Sequence, residues 1–133
     1  MPLSDGNYFI VSGATSLSGK NLGVARYYDN LLLVNDYSLF PIKVQKTSGD
    51  KFTLQFITRP DDYFGSTNEN NWVVSRPGKF EWAIDPAGGD QYKIHVPEKD
   101  LYWQLPEGSD NESRIVIDES QGGRSEYWTF KQA

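Results

Sequence analysis

Short runs in which apolar and polar residues alternate recur along the whole chain. They lie at residues 8–10, 42–44, 52–56, 92–96 and 115–117. Alternation with a period of two is typical of a strand that buries one face. Clusters of turn-forming residues separate the runs, at 47–50, 85–90 and 107–111. No window of about eleven residues sustains a helical period without a Gly or Pro, so the pattern predicts an all-β protein.

One part of this pattern repeats further along the chain. Residues 42–54 contain Ile42-Lys43-Val44 and then Gly49-Asp50-Lys51-Phe52-Thr53-Leu54. Residues 82–94 contain Trp82-Ala83-Ile84 and then Gly89-Asp90-Gln91-Tyr92-Lys93-Ile94. The same order of apolar, Gly, Asp and aromatic positions recurs after about forty residues. A period of that length indicates a fold built from copies of one unit.

Three such units can be aligned along the chain. Their opening aromatic residues are Tyr8, Phe52 and Tyr92, and their closing triplets begin at Ile42, Trp82 and Trp128. Each unit has two more short apolar segments, at 22–24 and 31–34, at 63–64 and 72–74, and at 101–105 and 114–117. Three units of four strands, each about forty residues long, predict a β-trefoil, with three strand pairs closing a barrel and three hairpins capping one end. A β-sandwich is the alternative, because short strands at regular spacing also fit that class, but the repeat favours the trefoil.

Composition and charge narrow the class of protein. The chain has 133 residues, of which 38% are apolar and 14% aromatic, and we expect residues 1–133 to form a single domain. It has no cysteine, and its start lacks the basic and apolar parts of a signal peptide, which predicts a cytoplasmic protein with non-classical release left open. No apolar stretch is long enough to insert into a membrane. The net charge of −5 argues against nucleic acid as a partner.

Candidate catalytic groups are few. The single histidine, His95, lies in an alternating run whose apolar face is Tyr92, Ile94 and Val96, so we expect it on the surface. No Gly-x-Ser-x-Gly motif accompanies it, and a metal site of several histidines or thiolates cannot be built from this composition. We therefore expect no catalytic residues, no metal and no cofactor, and predict a binding protein rather than an enzyme.

Several segments resemble those of the fungal serine-protease inhibitors of the β-trefoil type, which are close in architecture to the mushroom mycocypins. The segments that carry the resemblance are Gly6-Asn7-Tyr8-Phe9-Ile10, Glu81-Trp82-Ala83-Ile84, Tyr92-Lys93-Ile94, Trp103-Gln104-Leu105-Pro106, Ser113-Arg114-Ile115-Val116-Ile117 and Tyr127-Trp128-Thr129-Phe130. The resemblance implies a β-trefoil whose partner is a protease, most of all a trypsin-like serine protease. It also implies that an exposed, pre-ordered loop enters the protease cleft, since rigidity lowers the entropic cost of binding.

The resemblance places this loop between early strands, at Ala25-Arg26-Tyr27-Tyr28-Asp29-Asn30. Arg26 would fill a trypsin-like specificity pocket, with Tyr28 and Asn30 as weaker candidates. Arg59 and Arg76 are each followed by proline, which has no N–H and fits a serine-protease site poorly. Arg124, which precedes Ser125 and follows two glycines, gives a secondary loop that we expect to be softer.

A carbohydrate-binding trefoil is the alternative function. Ricin-type lectins also repeat at about forty residues, and a sugar site combines an aromatic side chain with polar partners. Asp61, Asp62, Tyr63 and Asn68 would form such a site. The Gln-x-Trp triplet of ricin-type repeats is missing from the equivalent positions, which counts against a site of that type. A fungal defence or immunomodulatory binding protein without a defined pocket is a third possibility.

Overall fold

The structure is a computed structural model that describes residues 3–67 and 72–133. Its described part contains twelve strands and one short 3-10 helix, Arg124–Glu126, which precedes the last strand. The strands of the first unit are β1 (Gly6–Thr15), β2 (Asn21–Tyr28), β3 (Leu31–Asn35) and β4 (Ile42–Ser48). Those of the second are β5 (Lys51–Phe56), β6 (Asp62–Ser66), β7 (Val73–Pro77) and β8 (Trp82–Pro86). Those of the third are β9 (Gln91–His95), β10 (Tyr102–Gln104), β11 (Val116–Asp118) and β12 (Trp128–Gln132).

Six of these strands close a barrel. The first and fourth strands of each unit pair with each other, as β1 with β4, β5 with β8 and β9 with β12. The fourth strand of each unit then pairs with the first strand of the next, as β4 with β5, β8 with β9 and β12 with β1. All six pairings are antiparallel. Because the ring is closed, the barrel strands leave no free edge to pair with another chain.

The remaining strands form three hairpins, β2–β3, β6–β7 and β10–β11, and these meet at one end of the barrel. One strand contact joins each pair of hairpins: Leu31 with Val74, Leu33 with Arg114, and Trp72 with Val116. A six-stranded barrel capped by three hairpins around a pseudo-threefold axis is a β-trefoil. The sequence-based predictions of an all-β chain and of this architecture are confirmed, and the sandwich alternative is wrong.

The repeated apolar positions build the core. The opening aromatics Tyr8, Phe52 and Tyr92 are all buried, and the closing residues Ile42, Trp82 and Trp128 are inaccessible to solvent. Trp103 packs edge-on between Trp82 and Trp128, at ring-centroid distances of 5.4 Å and 5.6 Å. Aromatic side chains bury large areas per residue and prefer this geometry, which explains how a chain of modest apolar content fills its core.

Candidate functional site

The predicted protease-binding segment is the tip of the β2–β3 hairpin. Arg26, Tyr27 and Tyr28 belong to β2 and pair with residues of β3. Only Asp29 and Asn30 connect the two strands, and their φ angles are 50° and 68°. A two-residue type I′ turn requires positive φ at both positions, and Asp and Asn adopt it more readily than most residues. The predicted loop over 25–30 is thus the end of β2 followed by a tight turn, since only its last two residues leave the strands.

Arg26 is already engaged by an acidic side chain of the third unit. Its Nη2 lies 2.5 Å from Oε1 of Glu112, and both side chains are partly exposed. The hydrogen bond to Glu112 raises the pKa of the Arg26 guanidinium, and the nearby phenols of Tyr37 and Tyr28 add to this effect. Exposed ion pairs contribute little to stability, so a partner carboxylate could replace Glu112 without a large penalty.

Tyr27 is held on the opposite face of β2 by a cation from the second unit. The Arg59 guanidinium lies 4.0 Å from the centroid of the Tyr27 ring and forms an ion pair with the carboxylate of Asp62. The Tyr27 ring also contacts Phe56, with centroids 5.9 Å apart. Tyr27 and Asp62 were assigned by sequence to two different candidate sites, and the structure joins them through Arg59.

The hairpin tip is also attached directly to the neighbouring hairpin. The carbonyl oxygen of Asn30 accepts a hydrogen bond from the N–H of Ser75 at 2.7 Å, next to the contact between Leu31 and Val74. Together with Glu112 and Arg59, this bond ties the tip to both of the other units. The segment that carries Tyr28 is therefore ordered before any partner binds.

Exposed aromatic side chains gather around this tip. Tyr28 and Tyr37 are 68% and 69% exposed, and Tyr27 and Phe40 are also exposed, although the rings of Tyr27 and Phe40 contact Phe56. We call the group formed by Arg26, Tyr27, Tyr28, Tyr37 and Phe40 the hairpin surface. Sequence reasoning missed Tyr37 and Phe40. The available signal was two aromatic residues in the turn-rich connection between β3 and β4, outside any alternating run.

The residues of the predicted sugar site do not form one open set of ligand-binding groups. Asp62 is buried, and its carboxylate is taken up by Arg59. Asp61 is exposed just before β6, and Tyr63 is half-buried on that strand. Asn68 lies outside the described residues. The carboxylate expected to hold sugar hydroxyl groups is thus committed to an internal ion pair.

The secondary loop around Arg124 and Ser125 is organised by a buried carboxylate. Arg124 is exposed at the start of the 3-10 helix, whereas Glu126 at its end is inaccessible to solvent. Oε1 of Glu126 accepts a bond from the Ser120 hydroxyl at 2.7 Å, and Oε2 accepts bonds from the main-chain N–H groups of Gln121 and Gly122. These bonds connect the main chain at Gln121 and Gly122 to the 3-10 helix.

Burial by itself raises the pKa of the Glu126 carboxyl. The hydrogen bonds from Ser120, Gln121 and Gly122, together with the charge of Lys93, outweigh that effect, so the pKa lies below its ordinary value. The Lys93 ammonium lies 3.7 Å from Oε1 of Glu126. The carboxylate is therefore stabilised in its ionised form by its surroundings.

An open groove of about 880 Å³ runs beside this loop, between the first and third units. Arg124 and Ser125 line it on one side, and Leu17, Pro106 and Asp118 contribute elsewhere. The groove has no aromatic side chain in its described lining. It lacks the stacking surface on which a sugar ring is usually held.

His95 is not the free surface histidine expected from the sequence. Its side chain is 12% exposed, and Nε2 lies 2.8 Å from Oδ2 of Asp85. Its Nδ1 lies 2.9 Å from the carbonyl oxygen of Val96. Nε2 therefore links β9 to β8, and Nδ1 contacts the chain that follows β9. Among the described residues no group of His, Asp or Glu is arranged to hold a metal ion, and no helix is long and apolar enough to cross a membrane.

No protein-family model matches the chain, and no curated protein matches it either. Solved structures do match over the whole chain. A proteinase inhibitor from Coprinopsis cinerea is 13% identical, with a TM-score of 0.73 over 98% of this chain and 99% of that chain. The Rhizoctonia solani agglutinin is 18% identical, with a TM-score of 0.75 over 100% of this chain and 99% of that chain.

A ricin B-like lectin from Macrolepiota procera, in complex with lactose, is 17% identical, with a TM-score of 0.73 over 100% of this chain and 99% of that chain. At these identities the likeness shows the shared β-trefoil fold. That fold serves an inhibitor and lectins alike, so the function must be argued from this chain's own surface.

Proposed function

We propose that the protein is a serine-protease inhibitor that binds its target through the hairpin surface. The observation that carries this proposal is the concentration of exposed aromatic side chains and Arg26 on a hairpin tied to both other units. Tyr, Phe and Arg are enriched in the centres of protein interfaces, where a few such residues supply most of the binding energy. The rigid tip supports the proposal further, because little entropy is lost when it is docked.

Tyr28 is the side chain that we assign to the specificity pocket of the protease. It is 68% exposed and lies immediately before the turn. Arg26 lies on the same face of β2, two residues away, but its ion pair with Glu112 must break before its side chain can enter a protease pocket. This arrangement favours a protease that accepts a large aromatic residue over the trypsin-like target implied by the resemblance.

The sugar-binding alternative has less support in its predicted site. Asp62 is buried and forms an ion pair with Arg59, so its carboxylate presents little surface to sugar hydroxyl groups. The partner that fits the hairpin surface is a protein.

The test is inhibition of a panel of trypsin-like and chymotrypsin-like serine proteases by the wild type and by Tyr28→Ala and Arg26→Ala. We expect Tyr28→Ala to weaken inhibition of a chymotrypsin-like enzyme about thirtyfold, the effect of losing an interface residue worth about 2 kcal/mol. Leu17→Ala is the matched control, since Leu17 is exposed but lies outside the hairpin surface.

Four outcomes decide the matter. Loss of inhibition in Tyr28→Ala alone supports the assignment. Loss of trypsin inhibition in Arg26→Ala alone supports the inhibitor function but shows that Arg26, and not Tyr28, fills the specificity pocket. A wild-type protein that leaves the whole panel uninhibited removes the proposed function. Inhibition by both variants that is as strong as that by Leu17→Ala removes the hairpin surface as the binding site.

A further inference from the structure

A separate cavity of about 460 Å³ lies where the hairpins meet at the end of the barrel. Each unit contributes to its wall, because the contacts between Leu31 and Val74 and between Leu33 and Arg114 bring the three hairpins together there. Its polar and aromatic lining consists of Asp29, Asn30, Thr67, Trp72, Arg76 and Arg114. The size of the cavity is that of a site for a small ligand.

Two guanidinium groups, those of Arg76 and Arg114, line the described part of this cavity. Among the described residues no carboxylate forms an ion pair with Arg76 or Arg114, in contrast to Arg26 and Arg59. The Arg114 guanidinium lies 5.2 Å from the centroid of the Trp72 ring. A Cβ built on Gly65 would lie 3.3 Å from Nε of Arg76, so the glycine leaves room for that side chain.

The excess of positive charge is local, since the whole chain carries a net charge of −5. Guanidinium groups bind carboxylates through paired, charge-assisted hydrogen bonds, which are stronger than neutral ones. Asp29 is the single carboxylate in the described lining. It disfavours a bare anion but can accept hydrogen bonds from hydroxyl groups, and Asn30 and Thr67 offer further donors and acceptors.

We propose that this cavity binds an acidic sugar, a pyranose ring that carries a carboxylate. The carboxylate lies against Arg76 and Arg114, the hydroxyl groups face Asp29 and Asn30, and Trp72 supplies apolar surface to the ring. This site shares no residue with the sugar-binding set expected from the sequence. It shares Asp29 and Asn30 with the predicted protease-binding segment, but Arg76 and Arg114 lie outside the hairpin surface, so different substitutions test the two functions.

The test is isothermal titration of the protein with methyl β-glucuronide, with methyl β-glucoside as the neutral match and inorganic sulfate as the bare anion. We expect the glucuronide to bind with a dissociation constant of about 1 mM, and each of Arg76→Gln and Arg114→Gln to weaken it about tenfold. Arg124→Gln is the control, because it removes the same charge from an exposed arginine that lines a different groove. Thermal unfolding of each variant confirms that the fold is intact.

Binding of the glucuronide that is lost in both pocket variants and kept in Arg124→Gln supports the proposal. Equal binding of the neutral glucoside overturns the role of the arginines, and equal binding of sulfate overturns the role of the sugar hydroxyls. Absence of glucuronide binding at about 20 mM, far above the expected constant, overturns the site as a whole. Arg76→Gln and Arg114→Gln should inhibit proteases as well as the wild type does. That result would separate sugar binding from protease inhibition.

Discussion

Trp82 donates its indole N–H to the main-chain carbonyl oxygen of Phe64 at 2.8 Å, in the buried centre of the second unit. In the third unit Trp128 makes the same bond to the carbonyl oxygen of Trp103 at 3.1 Å. The first unit has Ile42 at the closing position and cannot form it. There the equivalent carbonyl oxygen, that of Val24, accepts the main-chain N–H of Phe40 at 3.3 Å. In the second and third units the hairpin is thus joined to the closing barrel strand through one buried carbonyl, and in the first unit to the connection that precedes that strand, so each of these buried carbonyl groups is paired.

Trp82→Phe and Trp103→Phe provide a matched test of this bond. Both substitutions replace a buried indole with the smaller ring of phenylalanine. The Trp103 indole N–H, however, has no hydrogen-bond partner among the described residues. Trp82→Phe also leaves the carbonyl of Phe64 unpaired, which costs about 1–3 kcal/mol. We expect the free energy of unfolding in urea to fall by that much more for Trp82→Phe. Equal losses in the two variants would show that the bond adds nothing beyond packing.

The carboxylate of Glu126 makes the free energy of unfolding depend on pH. Its pKa in the folded protein lies below the ordinary value of 4.5, so its contribution is complete above pH 4.5 and is lost as the pH falls through the folded pKa. At neutral pH we expect Glu126→Gln to lower the free energy of unfolding by about 2–3 kcal/mol, because charge-assisted bonds to the loop are lost. Urea unfolding at several pH values checks this, and the gap between wild type and variant should narrow on acidification. A gap that stays constant with pH would contradict the role of the ionised carboxylate.

The contact between Tyr27 and Arg59 can be measured by a double-mutant cycle of Tyr27→Leu and Arg59→Met. A partly desolvated cation over an aromatic ring contributes about 0.5–2 kcal/mol, and we expect the coupling energy to fall in that range. Tyr28→Leu with Arg59→Met is the control pair, since Tyr28 lies on the other face of β2 and should be additive with Arg59. Coupling of the same size in the control pair would refute the contact.

The hairpin turn predicts unequal effects of two small substitutions at Asn30. The φ angle of 68° is comfortable for glycine but strained for alanine, by about 1–2 kcal/mol. We therefore expect Asn30→Gly to retain nearly all the stability and Asn30→Ala to lose about 1 kcal/mol relative to it. Thermal unfolding gives the comparison. If alanine proved as stable as glycine, the left-handed turn would be the wrong description of the tip.

Much of the fold is predictable from the chain alone. Alternation identifies which face of a strand is buried, and this depends only on neighbouring residues. The recurrence of Gly-Asp before an aromatic residue at Phe52 and Tyr92 marks the start of each new unit, so the repeat leads to three equivalent sets of strands. Closure of the barrel then follows, because three such units can bury their apolar faces only against one another.

The site was predictable only in part. The predicted segment 25–30 lies at a hairpin tip, but its conformation was not predictable, because an aspartate and an asparagine can form a tight turn or belong to a longer loop.

The sequence by itself determined the repeat, the order of the strands and the identity of the core, because each of these depends on local periodicity. Only the tertiary structure decided the partners of the charged side chains. Arg26 meets Glu112, Arg59 meets Tyr27, and Arg76 and Arg114 line one cavity, although these residues lie in different units. Such contacts form when the hairpins converge on the axis, and nothing in the spacing of residues along the chain encodes which side chains will then lie within a few ångströms of each other.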